Sequence, residues 1–153
     1  MKQKRTPRAF LRDYDQQRRH PENRRLHAMA LPMMYLGVIM LLWTLPLPEQ
    51  GFVQRQPMLN WAMLFVLATT FYALLVAVLP GILTAVLALA CVFLTHWLAA
   101  AGVQLGMTGA ALLVAAGHRA EGHRRTWLGR SQYLPVGLVW LMGRLLDRLG
   151  VPW

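Results

Sequence analysis

At 153 residues the chain is long enough for one domain, and 56% of it is apolar against 14% charged, well below the roughly 25% charged of an ordinary soluble domain. No Asp, Glu, Lys or Arg occurs among the 62 residues from Gln56 to Gly117, a run that no soluble core requires and that predicts an integral membrane protein. The net charge of +10 sits at the two ends, flanking the apolar region, so anionic lipid headgroups rather than nucleic acid are the expected partners of the basic residues.

Residues 1–27 carry nine Lys/Arg and three Asp/Glu. Phe10, Leu11 and Tyr14 recur there at helical spacing, which predicts a short amphipathic helix lying on the membrane. This basic start does not read as a signal peptide, because 27 mostly polar residues precede the first apolar run and no small-residue cleavage site follows it. Pro21 suits the first turn of a new helix, with His20 beside its start and Asn23 inside that turn.

The first predicted span covers residues 28–47, with Pro32 near its entry and the Pro46/Pro48 pair at its end. A short polar loop, 49–56, follows. The uncharged run then has room for three further spans, at 57–79, 80–101 and 103–117, separated by Pro80-Gly81 and by Gly102 with Gly106. Beyond a second polar segment, Leu134, Leu138, Met142, Leu145 and Leu149 form one helical stripe. Arg144, Asp147 and Arg148 lie off it, which predicts an interfacial helix. The expected fold is therefore an all-α integral membrane protein: a single domain, 1–153, of four transmembrane helices with short interfacial helices at both ends.

Positive charge orients such a bundle. Both basic ends belong on the cytoplasmic side and the 49–56 loop outside, which an even number of spans satisfies. His20, His27, His118 and His123 then share one membrane face, and His96 falls near the other. Trp43, Trp61 and Trp97, close to span ends, suit an aromatic belt. Gly102, Gly106 and Gly109 suit close helix approach. Cys91, the single cysteine, has no intrachain disulfide partner. No phosphate loop, serine-nucleophile motif or nucleic-acid module is present.

Four of the five histidines lie in the two polar segments, His20–His27 and Gly117–His123. His20 and His27 are seven apart, two turns on one helix face, and His118 and Glu121 are three apart. Convergence of the two segments would supply imidazole nitrogens and a carboxylate, a donor set suited to iron or zinc, and open positions on iron would admit O2. The plainer alternative is a set of interfacial histidines hydrogen-bonded to headgroups and backbone. His96 beside Trp97 could be an axial haem ligand with His118, although an intramembrane histidine satisfied by its neighbours is the simpler reading.

Tyr14-Asp-Gln-Gln-Arg18-Arg-His20-Pro21-Glu-Asn23-Arg24-Arg-Leu-His27, continuing to Pro32, resembles the opening signature of a membrane family. That signature is Y-x-x-x-H-x-x-P-x-N-[RK]-x-x-H-x-x-x-x-P. Gly117-His118-Arg119-Ala120-Glu121-Gly122, followed by the Tyr133–Trp140 stretch YLPVGLVW, resembles its second signature. The family is that of the fungal 2-hydroxy fatty acid dioxygenase of phytosphingosine breakdown, which has many bacterial members, and the correspondence covers residues 10–149. The resemblance implies an iron(II) site at His27, His118 and Glu121. It implies O2 as co-substrate, α-oxidation that shortens a 2-hydroxy fatty acid by one carbon, and, for the bacterial branch, residence in the inner membrane.

Two positions depart from the pattern. Arg18 stands where the family has its first histidine, and Arg125 where a proline follows the second signature. Arginine stays protonated and is a poor metal ligand, so His20 and His123 enter as candidate ligands from this sequence itself. Asn23, Arg24 and Arg119 are candidates for holding the substrate carboxylate, since guanidinium offers paired donors. A non-catalytic relative, with a lipid-binding or scaffolding role after loss of the ligand at Arg18, is the alternative.

Overall fold

Pro21 opens the first helix, where its fixed φ and missing N–H both suit a first turn, and α1 runs from Pro21 to Thr44. It is one of five helices in the computed structural model, which describes residues 21–46, 60–120 and 133–152 and holds no strand among them. The N-terminal amphipathic segment, the 49–56 loop and residues 121–132 lie outside the described residues. Asn60 caps α2 (Trp61–Val76) by accepting from the Met63 N–H at 2.9 Å.

The break after α2 falls at Ala77, which is extended at φ −159°, ψ 126°, rather than at Pro80-Gly81. Pro80 belongs to the first turn of α3 (Val78–Ala100), where a missing N–H costs no helical hydrogen bond. The Gly81 N–H already reaches back to the Ala77 carbonyl at 2.9 Å. Gly102 ends α3 in the left-handed region, at φ 77°, and the Val103 N–H closes onto the Leu98 carbonyl at 3.0 Å, a Schellman-type stop. The two remaining helices are α4 (Leu105–Ala120) and α5 (Tyr133–Arg148).

Contacts between named residues fix the helix directions. Trp61 donates its indole N–H to the Pro46 carbonyl at 3.3 Å, while Tyr35 meets Thr69 and Phe65 further along, so α1 and α2 are antiparallel. A Cβ on Gly81 would lie 2.8 Å from the backbone of Leu74, and the His96 ring lies 6.2 Å from that of Trp43. These two contacts make α3 fold back along the whole of α2. Gly37 sits against Gly109 and Leu113, and Thr44 against Gly106, so α4 is antiparallel to α1. The first four helices thus run up and down in turn. One end of the bundle holds the start of α1, the Ala77 turn and the end of α4; the other holds Trp43, Trp61 and Trp97.

The closest pair is α1 with α4, which have the most extensive packing in the described molecule. A Cβ at Gly37 would come within 2.9 Å of the Gly109 carbonyl, and one at Gly109 within 2.8 Å of the Gly37 carbonyl. Glycine at both positions is what lets the backbones touch. Gly109 was anticipated from the sequence; its partner Gly37 was not.

The helix expected to be interfacial, α5, packs against α3, α2 and α1. Val136, Gly137, Leu138, Val139 and Trp140 are all buried, while Leu145 and Leu149 of the expected stripe are exposed. No charged residue lies between Tyr133 and Gly143, so the first half has no solvent-seeking face to oppose an apolar one. It is enclosed on every side, and only the Arg144–Arg148 half emerges.

The α2–α3 hairpin is packed inside out relative to a soluble domain. Its buried residues are mostly small or hydroxylated, Ala62, Thr69, Ala73, Gly81, Thr84, Ala88, Cys91 and Thr95, while α1 and α5 supply large apolar core residues such as Tyr35, Ile39, Leu138 and Trp140. Leu64, Leu67, Phe71 and Leu75 of α2, and Val78, Ile82, Val86, Leu89 and Phe93 of α3, are exposed. The buried hydroxyls are satisfied within their own helices, Thr84 donating to the Pro80 carbonyl at 2.9 Å and Thr95 to the Cys91 carbonyl at 2.8 Å. By length and composition one helix, α3, can cross a membrane; Ala28–Thr44, Trp61–Val76 and Leu105–Ala116 are apolar but shorter. Four spans, the last of them short, were expected; among the described residues only α3 is long and apolar enough, because caps and chain breaks shorten the apolar runs of its neighbours.

Candidate functional site

The candidate residues gather by topology at the end of the bundle away from the tryptophans. Asn23, Arg24 and His27 belong to the first two turns of α1, and His118 and Arg119 to the last turn of α4. His20, Glu121 and His123, with Arg18 and Arg125, lie outside the described residues. Because α1 and α4 are antiparallel, the helix ends bearing His27 and His118 are neighbours.

Their levels follow from the register set by the Gly37–Leu113 and Thr44–Gly106 contacts. Carried along two helices rising about 1.5 Å per residue, it brings position 118 level with Pro32, and position 27 about 7.5 Å nearer the bundle end. The fold brings the two positions to one end of the bundle.

The two-histidine haem alternative does not survive this arrangement. His96 is exposed beside Trp43, at the tryptophan end. Position 118, level with Pro32, lies about 16 Å from it along the bundle axis, too far for two ligands to share one iron.

Among the described residues no group of three or more His, Cys, Asp or Glu is placed to hold a metal ion. Imidazole is nonetheless chemically suited to iron, and the helices that carry His27 and His118 start and finish at the same end. The polar feature that sequence reasoning missed is internal. The Tyr35 hydroxyl and Thr69 Oγ1 lie 2.8 Å apart with both residues buried, and Thr69 also donates to the Phe65 carbonyl at 2.9 Å. A tyrosine in one apolar run and a threonine in the next was the only signal. The pair ties α1 to α2 and is fully satisfied, which marks it as structural.

Comparisons of the chain with family models, with curated proteins and with solved structures returned no match.

Proposed function

We propose that the protein is an integral membrane bundle whose first four helices cross the bilayer, with both termini cytoplasmic, in the inner membrane of a bacterium. Its outer wall of large apolar side chains supports this. Only a third of the most apolar stretch of α3 is buried in the bundle, whereas the core helix of a soluble protein is mostly buried. Helices α1, α2 and α4 lie alongside α3 and share its depth, and α2, at 16 residues, reaches about 24 Å against a hydrocarbon core of about 30 Å.

At the cytoplasmic end we propose an iron(II)-dependent dioxygenase site acting on 2-hydroxy fatty acids. The observation that carries this reading is that the helix ends bearing the two signature segments are neighbours. His27, His118 and Glu121 are the assigned metal-binding residues, with His20 and His123 as further candidates. Iron(II) with O2 would supply the cleavage between C1 and C2 of the substrate. One O2 is consumed, the acid loses one carbon, and atoms and electrons balance with C1 leaving as CO2 together with one water. Arg24, Arg119 and Asn23 would hold the carboxylate while the acyl chain stays in the bilayer.

One observation favours the second reading, a non-catalytic relative with a lipid-binding or scaffolding role: Arg18 stands where the resembled family has its first histidine. The experiment is to supply purified protein with iron(II), O2 and a 2-hydroxy fatty acid and to follow the acid one carbon shorter by mass spectrometry. If His20 has taken over, the native protein is active, His20→Ala abolishes activity and Arg18→His adds little. If the ligand has been lost, only Arg18→His is active. Product from neither protein rejects the dioxygenase reading and leaves the scaffold.

A further inference from the structure

The turn between α2 and α3 carries an inference beyond the site. From Trp61 to Thr95 the hairpin contains no charged residue, and its tip is Leu74-Leu75-Val76-Ala77-Val78-Leu79-Pro80. Leu75 is 70% and Val78 67% exposed, so the tip is not covered by the described helices. A water-facing turn of this kind ordinarily carries Gly, Asn, Asp or a basic residue; this one has none before Gly81.

Length gives the depth. Trp43, Trp61 and Trp97 mark one interface. From Trp97 back to Val78 is 20 residues of continuous α3, about 30 Å, which equals the hydrocarbon thickness. Only Ala77 connects the helices, so nothing remains to project beyond the far boundary. The same length of α1 counted from Trp43 ends at Arg24, so the first basic residues of α1 mark that boundary independently. The backbone is adapted to a dry setting. Ala77 N–H donates to the Ala73 carbonyl at 3.0 Å, Gly81 N–H to the Ala77 carbonyl at 2.9 Å, and Pro80 has no donor to satisfy.

We infer that the α2–α3 turn lies at the far edge of the hydrocarbon against lipid acyl chains, so that α2 and α3 cross the apolar layer without their turn emerging into water. This rests on the membrane reading above. The continuity of the exposed tip with the outward faces of α2 and α3 identifies acyl chains as the occupant.

The test uses the full chain in vesicles, in a Cys91→Ala background, with Val78→Cys at the exposed tip and Gln104→Cys, also exposed, at the opposite end. Maleimide needs a hydrated thiolate, so an impermeant maleimide should modify position 78 from either side at least about tenfold more slowly than position 104 from its own side. A nitroxide at position 78 should collide more with O2 than with a water-soluble nickel chelate. Rapid labelling of position 78 from the side opposite position 104, or dominant collision with the chelate, overturns the inference. Spin–spin broadening between copies overturns the acyl-chain assignment in favour of a second copy at the tip. Release of the protein by alkaline carbonate defeats the membrane reading itself; retention with a labelled tip defeats only the inference.

Discussion

The α2–α3 hairpin and the α1–α4 pair bring two antiparallel helices together by different means. The hairpin uses a whole row of small and hydroxylated residues, Thr69, Ala73, Gly81, Thr84 and Ala88, and has no ionisable group between Trp61 and Thr95 apart from Tyr72 and the buried Cys91. The α1–α4 pair packs more extensively still, with Gly37 against Gly109 and Leu113 and Thr44 beside Gly106, and its ends at the far side from the tryptophans carry Arg24, His27, His118 and Arg119. The two pairs therefore differ in how their ends are made rather than in how fully they pack: α1–α4 ends in polar segments, whereas α2–α3 closes in a turn without a charged residue.

Substitutions can break this contrast, and the largest effect belongs to Gly81. Its added Cβ would meet backbone atoms of Leu74 at 2.8 Å, which cannot swing aside, so Gly81→Ala should cost about 3 kcal/mol in a detergent unfolding titration. Gly109→Ala, which meets the Gly37 carbonyl at 2.8 Å and Met40 Cβ at 3.0 Å, should cost about 2 kcal/mol. Gly106→Ala meets nothing closer than 3.9 Å and should stay within about 0.5 kcal/mol of the native protein.

The inside-out packing is sharpened by neighbours on α3. Ala88 is fully buried and Leu89 is 62% exposed. Ala88→Leu should destabilise by about 2 kcal/mol through overpacking. Leu89→Ala, on the exposed face, should cost about 0.5 kcal/mol or less. The opposite order would mean that a core of ordinary soluble type had been misassigned.

Between the two regions, Tyr35→Phe removes the hydroxyl bond to Thr69 and should cost about 0.6–1 kcal/mol, because Thr69 keeps its bonds to its own helix. The smallest effect is at α5, where the Arg144 guanidinium lies 5.3 Å from the Trp140 ring centroid. Lysine preserves much of that attraction and alanine loses it, so Arg144→Ala should cost about 0.5 kcal/mol and Arg144→Lys less.

Hydropathy alone made the helices legible, and Pro21 announced the start of α1. The Ala77 break was not legible, since a proline in an apolar run marks the end of one helix or the first turn of the next equally well, and Pro80 does the second. The α5 stripe was a true helical row, but a row shows burial only when the opposite face is polar, and Val136–Trp140 has no polar face. Gathering of the two signature segments at one end followed from an even number of reversals.

Metal content of the purified protein tests the central claim most directly. The account predicts about one iron per chain after reconstitution with iron(II), lost in His27→Ala and in His118→Ala while both variants keep the native unfolding midpoint. No bound iron in the native protein or in Arg18→His would contradict it.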